Sequence, residues 1–118
     1  PVQVTDWMPT FCALSGYNSE HDLRWDGTDL AELLFNHTPL PDRAIYTAGP
    51  RWRASSLRFG DWKLVTHGTG ESRRIELYNI ASDPIESKNL AETEPQRVHE
   101  MLTKLEQAKV TDNDSVVQ

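Results

Sequence analysis

Between Arg43 and Ile80 the apolar residues fall into four short runs, RAIYTAG, WRASSLRFG, DWKLVTHG and RRIELYNI. Each carries β-branched or aromatic residues, and glycine-containing turns separate them. In the second run Ser55, Leu57 and Phe59 point one way while Ala54, Ser56 and Arg58 point the other. In the third, Trp62, Leu64 and Thr66 alternate with Asp61, Lys63 and Val65. The FGDW stretch predicts a tight hairpin turn, with Gly60 at positive φ and Asp61 tolerant of it, and HGTGES predicts a looser hairpin loop. Four strands joined in order by short links imply an antiparallel, meander-like sheet.

A sheet with one apolar face needs a cover. Val98, Met101, Leu102 and Leu105 recur at i, i+3, i+4 and i+7, which predicts a helix from Glu94 to Ala108 with Leu102 central in its stripe. Thr93 with Gln96 three residues on reads as its capping box. Stripe on sheet gives an α+β fold: a four-stranded antiparallel sheet packed against a long C-terminal helix, preceded by a short helical N-terminal segment. The last residues, TDNDSVVQ, read as a frayed end.

In the N-terminal segment, TDWMPTFCALSGY predicts a helix from Asp6 to Leu14, capped by Thr5 or Asp6 and closed by Gly16. Met8, Phe11, Cys12 and Leu14 form its apolar stripe, and Pro9 falls in the first turn, where an amide hydrogen is dispensable. Residues 17–27 read as a polar loop, and DGTDLAELLF as a short helix capped near Asp26 or Thr28, bearing Leu30, Leu33 and Leu34. NHTPLPDR breaks that helix, so the chain divides into residues 1–42 and 43–118. Between sheet and final helix, ELYNIASDPIESKNLAE predicts a rigid corner: Asp83 as cap, Pro84 as first helical residue, Glu86 reaching back, Asn89 left-handed and Leu90 dropped into the core.

Composition narrows the partners. At 118 residues the chain is the size of one domain, and its net charge of −6, from 12 basic and 18 acidic residues, argues against a nucleic-acid partner. No apolar run approaches the ~20 residues that span a bilayer, which argues against a membrane partner. Arg51, Arg53, Arg58, Lys63, Arg73 and Arg74 concentrate in the middle, so one sheet face can be locally basic within an acidic chain. The single cysteine, Cys12, excludes an internal disulfide. The chain opens at Pro1 and reads as mid-domain sequence from its first residues, as expected of a fragment or processed piece.

Four of these stretches resemble one family. TDWMPTFCALSG is similar to the Asp-x-x-Pro-Thr helix of sulfatases, and WDGTDLAELL to the DGxSLxPLL that follows it. RASSLRFGDWKLV is similar to their RAVRxGDWKLI hairpin, and ELYNIASDPIESKNLA to ELYDLxxDPGETxNLA, with Ile85 in place of the usual Gly. Together, and in this order, they cover nearly the whole chain. The resemblance implies the C-terminal portion of a two-domain hydrolase of the alkaline-phosphatase-like superfamily. In such enzymes a large α/β domain carries the chemistry, and a small domain packs a four-stranded sheet against a helix. A free-standing binding module built on a sulfatase tail, and the tail of a related phosphonate- or phosphate-ester hydrolase, are the alternatives. The resemblance is compatible with a periplasmic, secreted or lysosomal parent and fixes none of them.

Sulfatase chemistry, as the resemblance implies it, needs a formylglycine made in a Cys-x-Pro/Ala-x-Arg stretch and a calcium ion that polarises the sulfate. Here Cys12 is followed by Leu14 where Pro or Ala is needed and Gly16 where Arg is needed, so a buried helix-face thiol is expected. Asp22, Asp26 and Asp29 cluster in a turn that capping explains, and His21, His37, His67 and His99 show no ligand spacing. Catalytic and metal-binding residues are therefore expected in none of this segment, and calcium and formylglycine in a preceding N-terminal domain. The expected partners are that catalytic domain and, in the parent enzyme, a sulfated small molecule or glycan. The isolated chain is expected to self-associate through its first helix or to lose order over residues 1–42. One group bears on substrate: Arg51 and Arg53, two apart and so on one strand face, with Trp52 on the other. Guanidinium forks suit sulfate oxygens and an indole suits a sugar face, while pairing of the arginines with acids of the large domain or of the chain's own tail is the alternative.

Overall fold

The computed structural model describes residues 1–18, 20, 21, 23, 25–49, 53–68 and 70–111. They form two compact units, divided between Asp42 and Arg43.

In the second unit, strands β1 (Ile45–Ala48), β2 (Ala54–Phe59), β3 (Trp62–His67) and β4 (Arg74–Asn79) form one sheet in the order β1-β2-β3-β4, every pair antiparallel. The meander expected from the four runs is what forms. Phe59 pairs with Trp62 across a two-residue turn in which Gly60 alone has positive φ, 55°, the pattern of a type II′ hairpin. Register then fixes the faces. Tyr46, Leu57, Leu64 and Leu77 lie opposite one another across all four strands, and the three leucines are fully buried. Beside that row Ser55 and Thr66 are also buried, and their hydroxyls meet at 2.9 Å, so each polar group placed in the core has a partner.

Helix α3 (Pro95–Thr111) covers this face. Met101 and Leu105 are its fully buried residues, while Val98, Leu102 and Ala108 flank them half-buried. Leu102 is thus beside the stripe's centre and not at it, because the i, i+4 pair Met101–Leu105 runs over the leucine row. The expected capping box does not form. Pro95 opens the helix with the Glu94 carbonyl accepting from Val98 N–H, and the Thr93 hydroxyl instead donates to the Leu90 carbonyl. At the helix margins, Lys104 Nζ sits 4.1 Å from the Phe59 ring centroid and the Arg97 guanidinium 5.2 Å from that of Trp62, so long cationic stems extend the apolar cover.

The corner between β4 and α3 is rigid but is built differently from the single helical turn expected. Asp83 accepts from Lys88 N–H at 2.9 Å and from the Ser87 hydroxyl at 3.0 Å, and its carbonyl accepts from Glu86 N–H. Glu86, at φ 57°, is the left-handed residue, and Asn89 is not. Asn89 is held otherwise: its Oδ1 accepts from Leu77 N–H at 3.0 Å and from Ala91 N–H at 2.9 Å, tying the corner to β4. Leu90 packs on the core as expected. The backbone donors of Lys88 and Ser87 hold the Asp83 carboxyl below its ordinary pKa of 3.8. A depressed folded pKa stabilises fully above the ordinary value and is lost as pH falls through the folded one. Asp83→Asn should therefore lower stability near neutrality and flatten the acid limb, so that urea midpoints of parent and variant converge as pH falls below about 4.

In the first unit, a 3-10 turn (Val4–Asp6) leads into α1 (Trp7–Leu14), which Gly16 closes at φ 71°. Helix α2 (Ala31–Asn36) is preceded by Leu30 and ends at His37, φ 54°. Asp29, rather than Asp26 or Thr28, holds its first turn, accepting from Ala31 N–H at 2.8 Å. Leu30 is the buried member of the expected Leu30, Leu33, Leu34 stripe. On α1 the buried residues are Pro9 and Thr10, whereas Trp7, Met8, Phe11 and Leu14 are exposed and Cys12 is half-buried. No described helix is long and apolar enough to cross a membrane.

Candidate functional site

The polar residues of the Asp-x-x-Pro-Thr stretch hold backbone. Asp6 is fully buried; its Oδ2 accepts from Gln3 N–H at 2.8 Å and its Oδ1 from Thr28 N–H at 2.9 Å. Thr10, also fully buried, donates its hydroxyl to the Asp6 carbonyl at 2.6 Å and accepts from Leu30 N–H at 2.9 Å. The helix thereby clamps the DGTDL loop two residues apart along its length. Gly27 makes the approach possible, since a Cβ there would stand 2.1 Å from the Thr5 carbonyl oxygen. Asp6 is thus a clamp between segments and not the cap expected: no side-chain capping bond forms at α1.

This commitment decides whether the groups that sulfatase chemistry requires fit here. Both carboxylate oxygens of Asp6 are occupied by amides, while Asp29 Oδ1 and both oxygens of Asp83 serve their own turns. Among the described residues no three His, Cys, Asp or Glu side chains converge as metal ligands. Cys12 lies in the wall of an open cleft of about 450 Å³ with Pro9, Tyr17, His21 and Trp25, and lacks the neighbours that a formylglycine precursor requires. The described residues fit neither group.

Two surfaces of the second unit carry organised charge. On the sheet face away from α3, Glu76 gathers Tyr78 Oη at 3.1 Å, Arg74 Nη2 at 3.1 Å and His67 Nε2 at 3.6 Å. Burial, then the Glu76 hydrogen bond and charge, push the Tyr78 phenol above its ordinary pKa. Beside this group Lys63 Nζ donates to Glu86 at 2.6 Å, which accounts for the corner's left-handed residue turning its carboxylate onto the sheet. With both side chains about a third exposed, that pair contributes at most about 1 kcal/mol. The locally basic face expected from the arginine-rich middle is therefore a mixed one.

The second surface is a hollow of about 170 Å³ at the β2–β3 end, rimmed by Arg53, Arg73 and Lys109, with Ser55 and Thr66 at its floor. Arg73 and Lys109 share a single carboxylate oxygen, Glu106 Oε1, at 3.5 and 3.2 Å. Of the three residues singled out in the sequence, Arg51 and Trp52 lie outside the described residues. Arg53 stands just ahead of β2, not within a strand, with its carbonyl accepting from Gly68 N–H at 2.7 Å. Arg73 and Lys109 went unrecognised as its neighbours, because nothing in a spacing of 20 and 56 positions from Arg53 announces proximity.

No protein-family model matches the chain. It is 28% identical over 119 aligned positions to Arylsulfatase K of Xenopus laevis, a match that covers 88% of this chain and 21% of that protein. Among solved structures, Ps i-CgsB in complex with k-i-k-neocarrahexaose superposes with a TM-score of 0.78 at 24% identity, over 98% of this chain and 26% of that one. The Bacteroides fragilis protein yidJ superposes with a TM-score of 0.73 at 18% identity, over 90% of this chain and 24% of that one. At these identities the two structural likenesses establish the fold. The chain spans about a fifth to a quarter of the length of the relatives it matches. In sequence the chain is similar to a stretch of an arylsulfatase, and in fold to a stretch of each of these two solved structures.

Proposed function

We propose that this chain is the non-catalytic C-terminal module of a sulfuric ester hydrolase, which completes the parent's fold and contributes to the wall of its substrate cleft. The observation that carries this reading is the use made of the motif residues: Asp6, Thr10, Asp83 and Asn89 all hold backbone amides. Residues so engaged organise a scaffold and leave the chemistry to other sequence. Calcium and formylglycine belong, on this reading, to an N-terminal catalytic domain, and a sulfated small molecule or glycan is the substrate. The apolar face of α1, with Trp7 stacked on Phe11 at 5.7 Å between ring centroids, is the surface that such a domain would cover. In the isolated chain the same face offers a route to self-association. The coding sequence upstream of Pro1 tests the assignment. A Cys-x-Pro/Ala-x-Arg stretch about one large domain earlier supports it, and an upstream frame without one contradicts it.

A further inference from the structure

The hollow at the β2–β3 end is chemically distinct from the rest of the surface. Three cations, Arg53, Arg73 and Lys109, rim it, and one carboxylate, Glu106, answers two of them through one oxygen. The Arg53 guanidinium has no partner among the described residues, while the Arg73 and Lys109 side chains are only 29% and 35% exposed. Arg73 and Lys109, both partly buried, repel one another across the one oxygen they share, and the exposed Arg53 adds a third positive charge at the rim, so the arrangement is stabilised by any anion that enters. The floor does not compete for that anion, because the Ser55 and Thr66 hydroxyls bond to each other. Gly68 and Gly70, at φ 77° and 60°, line it as well and themselves place no side chains in the space. At about 170 Å³ the hollow falls below the ~300–1,000 Å³ of clefts that swallow a whole ligand, and suits a single compact group. From this geometry we infer that the hollow is a binding site for a tetrahedral oxyanion, either free sulfate or a sulfate group on a carbohydrate, held by charge-assisted bonds from Arg53, Arg73 and Lys109.

The test is read on the purified chain by binding, so the inference stands or falls independently of the sulfatase assignment. Inorganic sulfate, titrated by calorimetry against chloride at constant ionic strength, is expected to bind saturably. The double variant R53Q/K109Q is expected to weaken it roughly tenfold or more, the equivalent of at least about 1.4 kcal/mol. Arg74→Gln removes the same kind of charge from the opposite sheet face and is expected to leave the affinity within about twofold. Circular dichroism of each variant confirms that the fold is retained. A heparin oligosaccharide and its desulfated counterpart separate the two sources: saturable binding of the sulfated form alone, without free sulfate, assigns the site to carbohydrate-borne sulfate. Absence of saturable binding by either probe would overturn the inference. So would equal binding of the desulfated sugar, or equal weakening in Arg74→Gln and the double variant.

Discussion

Leu105→Asp abolishes the cooperative unfolding transition of the sheet-and-helix unit. Leu105 has no exposed surface and packs with Leu57, Leu64, Leu77 and Met101. An isolated carboxylate forced into that cluster costs several kcal/mol or stays protonated at similar expense, against the ~5–15 kcal/mol that holds a domain together. The loss of leucine contacts adds to it, since burying one such side chain contributes about 1.5–3 kcal/mol. Val110→Asp is the matched control, because Val110 is 84% exposed on the same helix. Urea unfolding followed by far-ultraviolet circular dichroism should show a midpoint near the parent's for Val110→Asp and no native baseline for Leu105→Asp. A parent-like midpoint for Leu105→Asp would mean that α3 does not pack on the leucine row.

The second large effect is on the clamp of the first unit. Gly27→Ala places a methyl group 2.1 Å from the Thr5 carbonyl oxygen and 2.9 Å from Asp6 Cα, both backbone atoms that no side-chain rotation can move aside. The loop must retreat, and the Thr28 and Leu30 amides then lose Asp6 and Thr10. Asp6→Ala reaches the same end by removing the acceptor; hydrogen bonds to a charged group contribute about 1.5–3 kcal/mol each. Amide exchange at Gln3, Thr28 and Leu30 should accelerate roughly a hundredfold in either variant, corresponding to about 3 kcal/mol of local stability. Residues 54–79 should keep their parental protection. Unchanged exchange at Thr28 in Asp6→Ala would dissolve the clamp.

The parts of this fold that were legible in the sequence share a cause: their signals are local. Period-two alternation in SSLRF and WKLVT, with Gly60 between them, specifies two strands and the turn that pairs them. Short links leave a meander as the simplest order. The face of α3 is likewise written in its spacing. What spacing does not give is which residue of the stripe lies deepest, because that depends on where the helix axis crosses the sheet. It crosses so that Met101 and Leu105, not Leu102, sit over the leucine row. Local competition produced the misread caps. Thr93 and Gln96 have the right separation, but Pro95 fits the first helical position and moves the start past Thr93. Asn89 suits a left-handed turn, yet its amide oxygen is engaged by Leu77 and Ala91, and Glu86 takes that conformation instead. The clamp and the basic hollow were illegible for one reason. Asp6 meets Thr28 across 22 positions, and Arg73 meets Glu106 across 33, so only the folded chain brings these partners together.

The most direct test of the scaffold reading is sulfate release from an aryl sulfate, measured for the purified chain with calcium present and for the same chain expressed with its upstream reading frame. The account predicts no turnover above buffer by the chain alone, no tight calcium binding, and turnover by the extended protein. Turnover by the chain alone, retained through repurification and unaffected by Cys12→Ser, would contradict it.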